Sequence, residues 1–203
     1  MSERWIPLDV ADVDPDPFEQ FQLWFAEALG EMADREAIAL VTATHEGLPS
    51  ARMVLLRHHD STSFGWYTNY DSRKGHELAE NPHAALLWYC EPLGRQVRIE
   101  GPVEKMTAAE SDAYFAGRPR GSQLGAHASH QSEPLASRAE LEERVAEFAR
   151  RYEGEEVPRP ENWGGYRLTP TRFEFWQHRD DRLHDRVVYL PAGALWRRER
   201  QSP

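Results

Sequence analysis

Apolar residues set two different rhythms along this chain. Phe18, Phe21, Leu23, Trp24, Phe25, Ala28 and Leu29 recur at helical spacing and predict an amphipathic helix that stops near Gly30. The period then drops to two. Residues 37–44 and 50–57 are rich in β-formers and are separated by the turn sequence His45-Glu46-Gly47-Leu48-Pro49, which predicts a hairpin. Further strands are predicted at 64–68, 84–89, 95–105, 165–169, 172–177, 184–190 and 194–198, with helices at 73–80, 108–116 and 137–152.

Many short strands in hairpin order, with few helices, predict an antiparallel barrel rather than a parallel βαβ sheet. The class is mainly β with flanking helices, α+β. No G-x-G-x-x-G or Walker-type loop is present, so phosphate binding by a glycine-rich turn is not supported, and no internal repeat is found. Asp12, Asp14, Pro15, Asp16 and Pro17 mark residues 1–17 as a flexible N-terminal arm. Residues 18–203 carry no linker-like stretch and are expected to form one domain.

Composition narrows the partners. A net charge of −10 argues against a general nucleic-acid binder, which gains affinity by displacing counterions along a basic surface. Lys74 and Lys105 are the only lysines; every other basic residue is arginine, the better bidentate phosphate ligand. Cys90 is the only cysteine, which excludes an internal disulfide and a four-cysteine metal site. No long apolar run and no basic-then-apolar leader occur, so neither a membrane span nor a signal peptide is expected and the cytoplasm is the expected compartment.

Five segments hold the candidate chemistry. In Arg182-Leu183-His184-Asp185-Arg186, an extended backbone puts Arg182, His184 and Arg186 on one anion-seeking face; a solvated edge strand is the competing reading. In Tyr67-Thr68-Asn69-Tyr70-Asp71-Ser72-Arg73-Lys74-Gly75, Ser72 is a good N-cap and two cations occupy the first helical turn. There they oppose the helix dipole, unless a bound phosphate reverses the sign. Arg52-Met53-Val54-Leu55-Leu56-Arg57 ends in a cation on each side; a separation of five places the two on opposite faces of a regular strand unless a bulge intervenes. In Arg95-Gln96-Val97-Arg98-Ile99-Glu100, alternation gives Gln96, Arg98 and Glu100 one face, as a cleft wall or as a salt-bridged exterior. Finally, Tyr114, Arg118 and Ser122 have helical spacing, but Gly117 and Pro119 interrupt it, so only a turn could bring them together as a phosphate cradle; a simple interhelical turn is the competing reading.

From about Phe18 to the C-terminus the chain resembles the pyridoxamine 5′-phosphate oxidase family. The resemblance rests on an ordered set: Tyr67-Thr68-Asn69 with Ser72-Arg73-Lys74-Gly75, Arg95-Gln96-Val97, Ser122-Gln123-Leu124-Gly125-Ala126, Gln131-Ser132, Trp163-Gly164-Gly165-Tyr166-Arg167, Glu174-Phe175-Trp176-Gln177 and Arg182-Leu183-His184-Asp185-Arg186. It implies a split β-barrel homodimer with FMN at the subunit interface. The resemblance assigns FMN to Arg52, Met53, Val54, Leu55, Leu56, Arg57, Tyr67, Thr68, Arg73 and Lys74, completed by Gln96, Gln131, Ser132, Trp176 and Arg186. It assigns the substrate phosphate to Arg57, Tyr114, Arg118 and Ser122, and sets Arg182 and His184 against the pyridoxyl ring as the catalytic pair. The implied reaction oxidises phosphorylated B6 vitamers with oxygen. Flavin oxidases of the phenazine pathway, and non-catalytic flavin or pyridoxal phosphate carriers, share the scaffold.

Three positions depart from the family pattern. Arg57 stands where lysine is usual, His127 where tryptophan is usual, and the arm lacks an Arg and Tyr pair that often covers the substrate. His127 and His130 form an i, i+3 pair without an evident third metal ligand, so histidines in ordinary hydrogen bonds are the expectation and no metal site is assigned.

Overall fold

The computed structural model describes residues 5–203. Helix α1 (Pro17–Glu27) begins where Asp16 accepts a hydrogen bond from the Phe18 amide at 2.9 Å and Pro17 occupies the first turn. Its buried stripe is Phe18, Phe21, Trp24 and Phe25. The first hairpin joins β1 (Ala37–Ala43) to β2 (Pro49–Leu55), and Gly47 takes the left-handed φ of +84° that its turn requires. Then follow β3 (His58–His59), β4 (Phe64–Asn69), α2 (Arg73–Glu80), β5 (His83–Cys90) and β6 (Arg95–Lys105). Helices α3 (Ala108–Ala116), α4 (Arg120–Ala128) and α5 (Arg138–Arg151) precede β7 (Trp163–Leu168), β8 (Arg172–Gln177), β9 (Asp185–Ala192) and β10 (Leu195–Arg200).

All strand pairs are antiparallel, in the order β10-β9-β8-β6-β5-β1-β2. The 11-residue β6 is the hinge of the architecture: its first half pairs with β5 and β8, while Val103–Lys105 pairs with β7, which continues to β4 and β3. One strand serving two wings curls the sheet into a split barrel. A single inward row, Leu40, Leu86, Ile99, Phe173 and Tyr189, crosses five strands in register and is wholly buried. Helix α1 closes this core, with Phe18 against Phe173 (5.2 Å between centroids), Phe21 against Phe64 (4.9 Å) and Trp24 against Phe175 (5.2 Å). A smaller cluster, Phe115, Leu124, Val157 and Trp163, binds the helices to β7. Among the described residues, no helix is long and apolar enough to cross a membrane.

Three expectations change. Gly117 and Pro119 do end α3, but the chain resumes at once as α4 where a turn is expected; Pro119 sits just before the helix, where its missing amide costs nothing. The expected flexible arm is tied down over its described part, since Leu8 and Val13 enter the core and Tyr189 donates to the Asp14 carbonyl at 2.7 Å. Residues 1–4 of that arm lie outside the described residues. Residues 180–182 form a single 3₁₀ turn and β9 starts only at Asp185, so Arg182, His184 and Arg186 do not share one strand face.

The chain passes very close to Gly75 at the start of α2. A Cβ on Gly75 would lie 1.9 Å from the Tyr70 carbonyl oxygen, which is backbone and unable to yield. Gly75→Ala is therefore expected to cost on the order of 1–3 kcal/mol through displacement of residues 70–75. In a chain of this size that lowers the melting temperature by roughly 2–4 °C per kcal/mol, readable by thermal denaturation; an unchanged melting curve would show that the turn is not tight.

Candidate active site

One cleft gathers most of the predicted positions. Strand β2 is an end strand of the sheet, and Arg52, Met53, Val54 and Leu55 all border the cleft although their side chains alternate in direction. What faces the cleft is therefore the strand edge, with its unpaired backbone groups. Arg57 borders the cleft as well, just past the end of β2 at Leu55, and the expectation that Arg52 and Arg57 serve different partners holds for their ion pairs: Arg52 meets Glu77 and Arg57 meets Glu36. Tyr67 and Thr68 of β4, Lys74 of α2, Gln131, Tyr114, Arg118 and Trp163 complete the lining.

Lys74 is the electrostatic centre. The residue is buried, at 7% exposure. It donates to Thr68 Oγ1 (3.1 Å), Ser72 Oγ (3.0 Å) and Gln131 Oε1 (2.6 Å), all neutral acceptors. Burial pushes its pKa down to about 8, the Arg52 cation adds to the fall, and Glu77 pulls weakly the other way. Among the described residues no carboxylate pairs with it, so a buried cation lacks an anion.

Glu77, also on α2, organises the neighbouring cations. Burial pushes its carboxyl up, but hydrogen bonds from Ser50, Thr42, Arg73 and Arg52 outweigh burial and hold it at about 2. Arg73 Nε donates to it at 2.9 Å and Arg52 Nη2 at 3.3 Å, so one carboxylate supports both guanidiniums. Ser132, at a φ of +75°, borders an adjoining groove with Arg73 and Gln131.

The opposite wall is aromatic. Tyr67 and Tyr114 stack at 3.7 Å with planes 4° apart, and Trp163 continues the stack at 5.6 Å from Tyr67. Arg118 lies over Trp163 at 4.5 Å, and its Nη1 is buried without a hydrogen-bond partner. Burial also depresses its pKa. Ser122 borders the recess on the far side of Arg118, with Asn69 and Gln131. A buried guanidinium nitrogen with no acceptor is the second place where the fold leaves positive charge unanswered.

The remaining predicted residues stand apart from this cleft within one chain. Leu56 is 2% exposed and its side chain belongs to the core. Gln96, Trp176 and Arg186 are register partners across β6, β8 and β9 and form one row. The expected polar face of β6 is observed, and Glu174, 2% exposed, accepts from Arg98 at 2.6 Å and from Arg186 at 2.9 and 3.0 Å. Arg182 and His184 lie on the β8–β9 loop beside that row. The His184 ring is 4.5 Å from Trp176, and its Nδ1 accepts from the Arg179 amide at 3.1 Å, so the neutral ring carries its proton on Nε2. Partial burial, His178 and Arg182 lower its pKa and favour that neutral form.

Sequence reasoning gave no role to Glu77 or Trp163. The i, i+4 spacing of Glu77 from Arg73 was the available signal for the first; the stacking of Trp163 depends on strand pairing far along the chain. His127 donates from Nε2 to the Pro158 carbonyl at 2.7 Å, and among the described residues no cluster of metal-ligating side chains occurs.

The cleft of this split barrel thus offers a buried ammonium, an orphaned guanidinium nitrogen and a flat aromatic wall. Residues 25–152 match a family model described as pyridoxamine 5′-phosphate oxidase, and residues 163–203 match the pyridoxine 5′-phosphate oxidase C-terminal dimerisation region. The pyridoxine/pyridoxamine 5′-phosphate oxidase of Rubrobacter xylanophilus is 56% identical over 191 residues, covering 94% of this chain and 88% of that one. The enzyme of the same name from Paraburkholderia phymatum is 54% identical over 198 residues, covering 97% and 93%. Among solved structures, PhzG from Burkholderia lata in complex with tetrahydrophenazine-1-carboxylic acid superposes with a TM-score of 0.90 at 32% identity, covering 98% of this chain and all of that one. The chain belongs to the pyridoxamine 5′-phosphate oxidase family of oxidoreductases.

Proposed function

We propose that the protein oxidises pyridoxamine 5′-phosphate and pyridoxine 5′-phosphate to pyridoxal 5′-phosphate, using FMN, with oxygen as electron acceptor and hydrogen peroxide as product. One observation carries the reading: a single cleft holds two unanswered positive centres, Lys74 and Arg118 Nη1, and the reaction brings together two phosphates. The residues fit FMN, because a phosphate dianion is what a buried ammonium ringed by neutral acceptors lacks.

Lys74, Thr68, Gln131 and Arg73 would hold the flavin phosphate, with Ser132 at the adjoining rim. The free edge of β2 presents backbone donors and acceptors to a planar ring. FMN held there would supply the redox chemistry, a two-electron oxidation at the C4′ carbon with oxygen as the final acceptor. Arg118, Tyr114, Ser122 and Arg57 form the cradle for the substrate phosphate. Water completes the amine reaction, giving aldehyde and ammonia; the alcohol needs none.

Gln96, Trp176, Arg186, Arg182 and His184 complete the site from a second copy of the chain in a homodimer, a reading supported by the match to a dimerisation region. His184 then works as a hydrogen-bond donor through Nε2, and Arg182 as a cation over the pyridoxyl ring; both act by orientation. The proposed compartment is the cytoplasm.

The likeness to PhzG favours one second reading, a flavin oxidase of an unphosphorylated tricyclic substrate. Purified protein is expected to be yellow and to consume oxygen with either phosphorylated vitamer, but not with unphosphorylated pyridoxamine or with a tetrahydrophenazine carboxylic acid. Arg118→Ala removes a charged hydrogen bond of about 1.5–3 kcal/mol and should raise KM for the phosphorylated amine roughly ten- to a hundredfold. Uptake only with the tricyclic acid would replace the proposal, and yellow protein inert to all of them would indicate a flavin carrier.

A further inference from the structure

The β8–β9 loop is held in an expensive shape. Asp181 and Arg182 both adopt left-handed backbone, at φ of +56° and +61°. Two successive non-glycine residues there persist only where the surroundings over-determine them. Among the described residues, two hydrogen bonds within the loop contribute to this. The Leu183 amide donates to the Asp180 carbonyl at 3.1 Å, and the Arg179 amide reaches His184 Nδ1.

Several restraints converge on the residue that closes the loop. Asp185 stands opposite Gln177 at the base of the hairpin, with its side chain 14% exposed. Its Oδ1 accepts from Arg200 Nη1 at 2.8 Å, fixing the loop to the last strand. Its Oδ2 accepts from the Leu8 amide at 3.1 Å, fixing it to the N-terminal segment, and lies 3.7 Å from Arg179 Nε at the other end of the loop. The same segments are cross-linked without it: Arg200 Nη2 donates to the Leu8 carbonyl and Asp9, Arg179 Nη1 donates to the Trp5 carbonyl, and the Trp5 ring meets His178 edge-on at 5.4 Å.

We infer that Asp185 is a positioning residue: by joining the N-terminal segment, β10 and Arg179, it sets where the neighbouring Arg182 and His184 are held. The inference rests on the oxidase reading for its kinetic consequence, but not for its structural one. It also gives residues 5–8 a function, as a strap across the loop through Trp5 and Leu8.

Hydrogen exchange and kinetics on the flavin-loaded protein test it together. In Asp185→Ala, the Arg179 and Leu183 amides should exchange at least tenfold faster while core amides of β5 and β6 stay protected. Flavin content should stay within twofold of wild type, and kcat for pyridoxamine 5′-phosphate should fall on the order of ten- to a hundredfold, as for a misplaced reacting group. Asp185→Asn keeps an acceptor for Leu8 but loses both ion pairs, and should fall between. Asp9→Asn, which removes the exposed partner of Arg200, should leave both readouts unchanged.

Asp185→Ala with loop amides still protected and kcat within twofold would overturn the inference. So would a uniform loss of protection with a lower melting temperature, because Asp185 would then only stabilise the fold. A wild-type protein inert toward both vitamers would defeat the functional reading alone, since the exchange pattern still decides whether Asp185 holds the loop.

Discussion

Lys74→Met is expected to yield colourless protein, with FMN binding to the apoprotein weakened roughly ten- to a hundredfold, the equivalent of one charged hydrogen bond of about 1.5–3 kcal/mol. Methionine fills the same space, so Ser72 still caps α2 and the turn at Gly75 is undisturbed. What disappears is the one buried ammonium in the cleft. Titration against pH separates this charge effect from packing. A phosphate monoester becomes a dianion above about pH 6, while Lys74 begins to lose its proton near 8. Wild-type affinity should therefore peak between these values and decline on the alkaline side, and the variant should lack that decline.

The same residue fixes a sign for stability. The folded pKa of about 8 lies below the ordinary 10.5, so between the two the unfolded chain binds the proton more tightly. Flavin-free protein should gain stability as pH rises through that interval and carry the full penalty of the buried charge below 8. At pH 7 the Lys74→Met apoprotein should accordingly melt higher than wild-type apoprotein. A variant that purifies with a full complement of flavin would show that the phosphate lies elsewhere.

Arg182→Ala should behave in the opposite way, leaving flavin content intact while kcat falls on the order of a hundred- to a thousandfold, the usual effect of removing one preorganised charged donor. Among the described residues no hydrogen bond or ion pair engages its guanidinium, yet it sits on a loop whose backbone is held left-handed. Alanine suffers the same Cβ penalty at that φ as arginine, so the loop conformation should survive the change. Single-turnover kinetics with flavin absorbance as the signal would read the loss directly. If flavin content fell instead and turnover per bound flavin held, the roles of Lys74 and Arg182 would be reversed.

Much of this arrangement was legible in the sequence because it is local. Alternation along residues 95–100 correctly placed Gln96, Arg98 and Glu100 on one face, and Ser72 was read as the cap it is. The failures arose where distant contacts override local signals. Gly117 and Pro119 are helix breakers, but packing of Leu124 with Phe115 and Val157 lets a new helix begin immediately after them. The alternation argument for Arg182, His184 and Arg186 assumed extended backbone, whereas a loop anchored through Asp185, Leu8 and Arg200 bends it. The acidic, proline-rich start of the chain looked unable to join a core, and it is held there by Leu8, Val13 and the Tyr189 hydroxyl. No spacing rule links residues that lie 177 positions apart, as Leu8 and Asp185 do.

The open flank of β2 has a consequence for making this protein. Unpaired strand edges recruit other strands, and the groups proposed to cover this one are a vitamin-derived cofactor and a second chain. Newly synthesised molecules in cells short of riboflavin should thus precipitate more readily than those supplied with it, so yield of soluble material becomes a simple gauge of whether that flank has been covered.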